Sequence, residues 1–249
     1  MLRFVALGLA LISASSMGAA TQSDASPKAT VAKANQSIEL ARLMSPRDLL
    51  VDMELREFDK HFVSSLSADR ELKSLDDQYP GLFAAMHKAS RGLVAEATSR
   101  SAEKIHAAVA KIIEASFTPA DIVELTDFYR SPVGLKTVQQ MAASADAGQV
   151  YQQAVSESDY KLTEEKVAAE IAKSARKAVQ TFTPEEQTEM MLFMAKPSFG
   201  KLAKAQPQIQ KILADEFNAP DPAFDRRVEQ AMSAAIEQHI ASSEQSGGE

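Results

Sequence analysis

The chain states one twenty-residue pattern twice. Phe117-Thr118-Pro119 opens FTPADIVELTDFYRSPVGLK, and Phe182-Thr183-Pro184, 65 residues later, opens FTPEEQTEMMLFMAKPSFGK. Seven positions coincide: Phe117/Phe182, Thr118/Thr183, Pro119/Pro184, Glu124/Glu189, Phe128/Phe193, Pro132/Pro197 and Lys136/Lys201. They are the residues with which a helix starts, packs and stops. A Thr before Pro caps a helix, because Pro lacks the amide that is unpaired at the first helical position and the Thr oxygen accepts from the next free amides. A residue before Pro is driven out of the α region, so Pro132 and Pro197 end one helix and start the next. Duplicated grammar of this kind describes a scaffold.

The same punctuation recurs at Ser45-Pro46, Ser131-Pro132 and Asp221-Pro222. Asp48, Asp121 and Glu186 stand two residues after a Pro, where an acid complements the helix dipole and completes a capping box. Between these marks the apolar residues recur at three-to-four spacing, as in Leu49, Leu50, Met53, Phe58, Phe62 and Leu66. Met190, Met191, Phe193 and Met194 are read as the buried side of the short helix in the second copy. No stretch alternates apolar and polar residues as a strand does. The fold class is all-α: a helical bundle built from two pseudo-repeated helix–Pro corner–helix units, near 101–147 and 166–217, plus N-terminal helices. Two copies are too few for a solenoid.

At the N-terminus, Arg3, the apolar run Phe4 to Ile12 and the small residues ending at Ala20 read as a signal peptide over 1–20. The run is too short to span a bilayer. Residues 21–34 are expected to form a flexible leader, 35–241 the helical domain, and 242–249 a disordered tail. Cys is absent, which removes both a lipid anchor and disulfides, so the exported protein is expected to be soluble in the periplasm or outside the cell and held by its core alone. Removal of Arg3 with the signal peptide moves the formal charge from −7 to −8. Phosphate backbones are bound by clustered Lys and Arg, so nucleic acid is not an expected partner.

In the first copy Phe128-Tyr129-Arg130-Ser131-Pro132-Val133-Gly134 combines an aromatic pair, a capped corner and a Gly in the new helix's first turn, where the lack of a side chain permits close backbone approach. This pattern resembles the bacterial exported family catalogued as "domain of unknown function 2059", over roughly Glu103 to Gln153. The resemblance implies an exported all-helical domain and brings no activity. The second copy departs from it: Met194 replaces Tyr, Lys196 replaces Ser, and the Gly comes one place later, at Gly200. The motif residues Phe128, Tyr129, Ser131, Pro132, Gly134, Phe193, Pro197 and Gly200 are the candidate site, structural first.

Catalytic groups are sparse. The histidines are His61, His87, His106 and His239. Glu103 and His106 have the Glu-x-x-His spacing of di-iron bundles, but such sites need that element twice, and the pair reads as a helix-surface contact. Glu57 and His61, four apart, read likewise. Met190, Met191 and Met194 could in principle hold Cu(I), yet they read as core filler. No Gly-x-Ser-x-Gly, His-Glu-x-x-His or phosphate loop occurs. No enzyme activity, cofactor or metal is expected. The expected function is a protein-interaction module of the cell envelope, its partner another envelope protein; the alternative is a periplasmic carrier of an apolar small molecule or lipid.

Overall fold

The computed structural model describes residues 27–146, 148, 150, 153 and 160–246; the expected signal peptide lies outside them. The described residues contain helices and no strand. In chain order these are α1 (Pro27–Met44), α2 (Arg47–Ser67), α3 (Arg70–Gln78), α4 (Leu82–Ser116), α5 (Pro119–Arg130) and α6 (Pro132–Ser144). After the α6–α7 connection come α7 (Glu164–Val179), α8 (Pro184–Met194), α9 (Pro197–Asn218) and α10 (Pro222–Ser246).

The Pro punctuation sets most of these boundaries. Thr118 and Thr183 both close complete capping boxes, the first with Asp121 and the second with Glu186. Ser131 accepts from the Gly134 amide at 3.1 Å, and Asp221 from the Phe224 amide at 3.0 Å. Ser45 differs. Its hydroxyl donates back to the Ala41 carbonyl at 3.1 Å, inside α1, and Pro46 takes the cap position of α2 without a side-chain acceptor. The reason lies across the corner: the Ser45 carbonyl accepts from Nε2 of His106 at 2.7 Å, so the corner is fixed from α4.

Helix α4 is the spine. Its 35 residues span about 52 Å at 1.5 Å per residue, long enough to serve two cores. Its C-terminal half gives Ile105, Val109 and Ile113 to a large cluster with Leu40 and Met44 of α1, and with apolar residues from α5 through α9. Both repeat units therefore bury their apolar faces in one core. The N-terminal half gives Leu82, Phe83, Met86 and Val94 to a second cluster with Phe58 and Phe62 of α2 and Phe224 of α10. Gly81 starts α4 with φ +97, a conformation open to Gly at little cost, and Asp76 of α3 accepts from the Phe83 amide at 3.0 Å.

The structure corrects other expectations. Helix α1 begins at Pro27, so the latter part of the 21–34 stretch is helical, and α10 carries helix through Ser246 into the stretch expected to be a tail. Ala32, Ala41 and their neighbours give α1 the propensity that Ser and Pro27 alone conceal. His106 is fully buried, and burial pushes its pKa below the ordinary value despite the hydrogen bond to Ser45 and the charge of Glu103. Glu103 pairs instead with Arg42 of α1 at 2.8 Å. Glu57 and His61, 3.5 Å apart, are a largely buried pair. Beside them Glu54 is buried, and its desolvation together with the charge of Glu57 raises its pKa well above the usual carboxylate range.

Candidate functional site

Helices α5 and α8, the short helices of the two copies, run antiparallel with their Phe residues at the crossing. The rings of Phe128 and Phe193 stack face to face, 3.5 Å between centroids and 4° from parallel. Tyr129 meets Phe128 edge-on at 5.3 Å, and Phe199 of α9 meets Phe193 in the same manner at 5.3 Å. Tyr129 is buried, and loss of solvent pushes its phenol far above the ordinary tyrosine value. Its ring packs edge-on against both Phe128 and Phe193.

Around this stack the copies exchange contacts. Lys136 reaches Glu186 at 2.6 Å, and Lys201 reaches Asp121 at 2.5 Å. Those lysines coincide in the sequence pattern, and so do the two acids, each of which already closes its own capping box. Ser131 donates to Glu189 at 3.4 Å, and Lys196, which stands where Ser131 stands in the first copy, reaches Glu124 at 3.1 Å. Each of these contacts made by one copy is returned at the matching position of the other.

The charges are tuned accordingly. Burial pushes Asp121 up, but the hydrogen bonds from Lys201 and from the Thr118 hydroxyl and amide outweigh it and leave the carboxyl below its ordinary value. Glu124 is lowered by the Ser198 hydroxyl, which donates at 2.5 Å, and then by Lys196. Glu186 is lowered by Lys136 and the Thr183 amide.

Side by side, α5 and α8 leave an open groove of 670 Å³ between them. On the α5 side it is lined by Pro119, Ala120, Val123, Glu124, Asp127, Phe128 and Ser131, a single stripe along the helix. On the α8 side it is lined by Glu189, Leu192, Phe193 and Lys196, again one stripe at three-to-four spacing. Val123 is 48% and Leu192 66% exposed, so apolar side chains stand at both rims. The lining contains no histidine, and its one hydroxyl, on Ser131, is committed to capping α6. Among the described residues no group of His, Asp and Glu is placed to hold a metal ion.

Of the residues singled out in the sequence, Phe128, Ser131 and Phe193 line the groove and Tyr129 backs it. Pro132 and Pro197 start α6 and α9. Gly134 is the tightest glycine among the described residues: a Cβ there would lie 1.9 Å from the Phe128 carbonyl oxygen. Gly200 has no such role, because a Cβ would meet nothing within 4 Å. Of the Met run only Met190 is buried; Met191 is 58% and Met194 37% exposed, which corrects their assignment to the core. Helix α8 touches the core along one narrow line through Met190 and Phe193, and the rest of its surface is solvent-facing.

Sequence reading missed Val123, Asp127, Glu189, Leu192 and Lys196 as groove residues. Glu189 carried a signal, since it coincides with Glu124 across the copies; the others acquire meaning only once the helices lie antiparallel. No curated protein and no solved structure matches the chain. One family model does, over residues 103–158, from the second half of α4 through α5, the Ser131-Pro132 corner and α6. That segment, which includes Phe128-Tyr129-Arg130-Ser131-Pro132-Val133-Gly134, is similar to the family described as an uncharacterized protein conserved in bacteria (DUF2059).

Proposed function

We propose that this protein is a non-enzymatic interaction module that works in the periplasm or outside the cell after cleavage of its first twenty residues, and that its partner docks in the α5–α8 groove. The observation that carries the reading is the exposure of Leu192 and Val123 on either side of a preformed cleft, whose floor is the stacked Phe pair. Exposed apolar rims around a rigid aromatic floor are the features of a protein-recognition surface. The lining also holds carboxylates without a histidine partner, which suits binding better than proton transfer. No helix among the described residues is long and apolar enough to cross a membrane, in keeping with a protein that acts after release.

An apolar cargo is the weaker reading for this groove. Three of its eleven lining residues are carboxylates and a fourth is a lysine, so a lipid tail laid there would desolvate charges without compensating them. A photo-crosslinking residue at position 192, with one at exposed Val179 as control, tests the docking site in cells. The expected result is a discrete heavier adduct from 192 alone. Identical patterns from both positions overturn the groove as the docking site. Mass spectrometry of the periplasmic protein is expected to find Thr21 as the first residue, and a retained Met1 overturns the export reading.

A further inference from the structure

We infer that the occupant of this groove is an amphipathic helix of another protein, about three turns long, with an apolar ridge and a Lys or Arg at the end that lies beside Ser131. The inference rests on the docking site proposed above and adds the chemistry of the partner. Three observations carry it.

The first is length and shape. The α5 side runs from Pro119 to Ser131, twelve steps of about 1.5 Å or roughly 18 Å, which is the reach of three helical turns. Two flanking helices form a trough for a third, and an apolar helix face seats in such a trough through residues at i, i+3, i+4 and i+7. Among the described residues there is no strand, so no sheet edge is on offer for an extended peptide.

The second is the uneven distribution of charge along the trough. At the Pro119 end the one lysine, Lys196, is engaged by Glu124, which also accepts from Ser198. That end is electrically satisfied. At the Ser131 end stand Asp127 and Glu189. Neither has an ion-pair partner among the described residues, and the contact to Glu189 is the long 3.4 Å bond from Ser131. Two carboxylates left without a cation at one end of an apolar trough call for a cation on the partner.

The third is that the reciprocity of the two copies breaks at this place. Asp127 stands where the second copy has Leu192. The apolar rim and the acidic end are therefore the same position in the two copies, used differently, and this gives the trough a direction. A helix entering it is oriented by its charged end and held by its apolar ridge.

The probe is a pair of labelled, amidated peptides of fourteen residues, each with Leu at helical spacing on one face, one bearing two Lys at one end and the other two Glu. Fluorescence anisotropy with the mature chain reads their affinities. The Lys peptide is expected to bind at least about tenfold more tightly, and the advantage is expected to shrink to less than about twofold in 0.5 M salt, where the Debye length is a few Å. In the D127K/E189K variant the preference is expected to invert, and L192D is expected to weaken both peptides. These positions are exposed, so the variants keep the fold, which their helical circular dichroism verifies. Equal affinity of both peptides, lost together in L192D, overturns the basic partner and leaves the docking groove standing. Binding that L192D does not change overturns the groove itself. A dimer of this chain crosslinked through position 192, with no affinity for either peptide, identifies the occupant as a second copy and overturns the inference.

Discussion

The corner between α5 and α6 and the corner between α8 and α9 hold the same place in the two copies and are closed to different degrees. In the first, Ser131 both ends α5 and caps α6; its amide donates to the carbonyls of Asp127 and Phe128, and its hydroxyl accepts from Gly134. In the second, Ala195 and Lys196 intervene, Lys196 offers α9 no side-chain acceptor, and buried Phe199 stands where Gly134 stands in the first. The shared Pro and Phe residues secure the order helix, corner, helix. Two places after the Pro the copies differ: Gly134 admits the Phe128 carbonyl, where a Cβ would lie 1.9 Å from its oxygen, while in the second copy Phe199 carries a buried ring that meets Phe193 edge-on at 5.3 Å. The family match covers the closed corner and does not reach the open one.

The sharpest way to break this comparison is G134A. A methyl group 1.9 Å from a backbone oxygen has no room, so the corner must open or the domain unfold, and a loss on the order of 5 kcal/mol is expected in urea denaturation. A loss under about 1 kcal/mol would show that the closed corner yields easily. Next come F128A and F193A. Each removes half of one ring stack from the core, and each is expected to cost about 3–5 kcal/mol; the double variant should cost less than the sum, because the rings share one contact. Strict additivity would mean that the rings stabilise the fold separately.

Smaller effects distinguish the exchanged ion pairs. K201M is expected to cost about 1 kcal/mol at neutral pH, the scale of a half-exposed pair. It also removes the strongest influence that lowers Asp121. A carboxyl whose folded pKa is depressed contributes stability above its unfolded value near 3.9, and that stability is lost as pH falls through the folded value. The acid side of the stability profile, below about pH 4, should therefore be shallower in K201M than in the wild type; parallel curves would remove Lys201 from that linkage. The smallest effect has the opposite sign. G200A places a methyl in open space within α9 and is expected to stabilise by about 0.5–1 kcal/mol through helix propensity, which a rise in melting temperature would report.

The helical class was legible from local rules. Thr118-Pro119, Thr183-Pro184 and Asp221-Pro222 act within three or four residues of themselves, so their caps form wherever the helix lies. Gly134 was legible as a close approach for the same reason, because Phe128 is six residues away. Ser45 was not, since its carbonyl is claimed by His106 from another helix. Nor were the buried states of His106, Glu54 and Glu57, because a helical stripe gives the direction of a side chain and not what stands opposite it. The Met run misled for a related reason: α8 meets the core along one line, and apolar character at 191, 192 and 194 exceeds what that line can bury.

The residues by themselves determined where the Pro-marked helices begin, which corner needs a glycine, and that one twenty-residue pattern is written twice. Those are properties of short stretches of backbone and of steric fit between near neighbours. Only the tertiary structure decided that the copies face each other antiparallel, that Lys136 and Lys201 exchange acids, and that Asp127 and Glu189 have no ion-pair partner among the described residues beside an exposed Leu192. Such contacts join side chains dozens of residues apart, and they depend on how α5 and α8 are set upon the core beneath them.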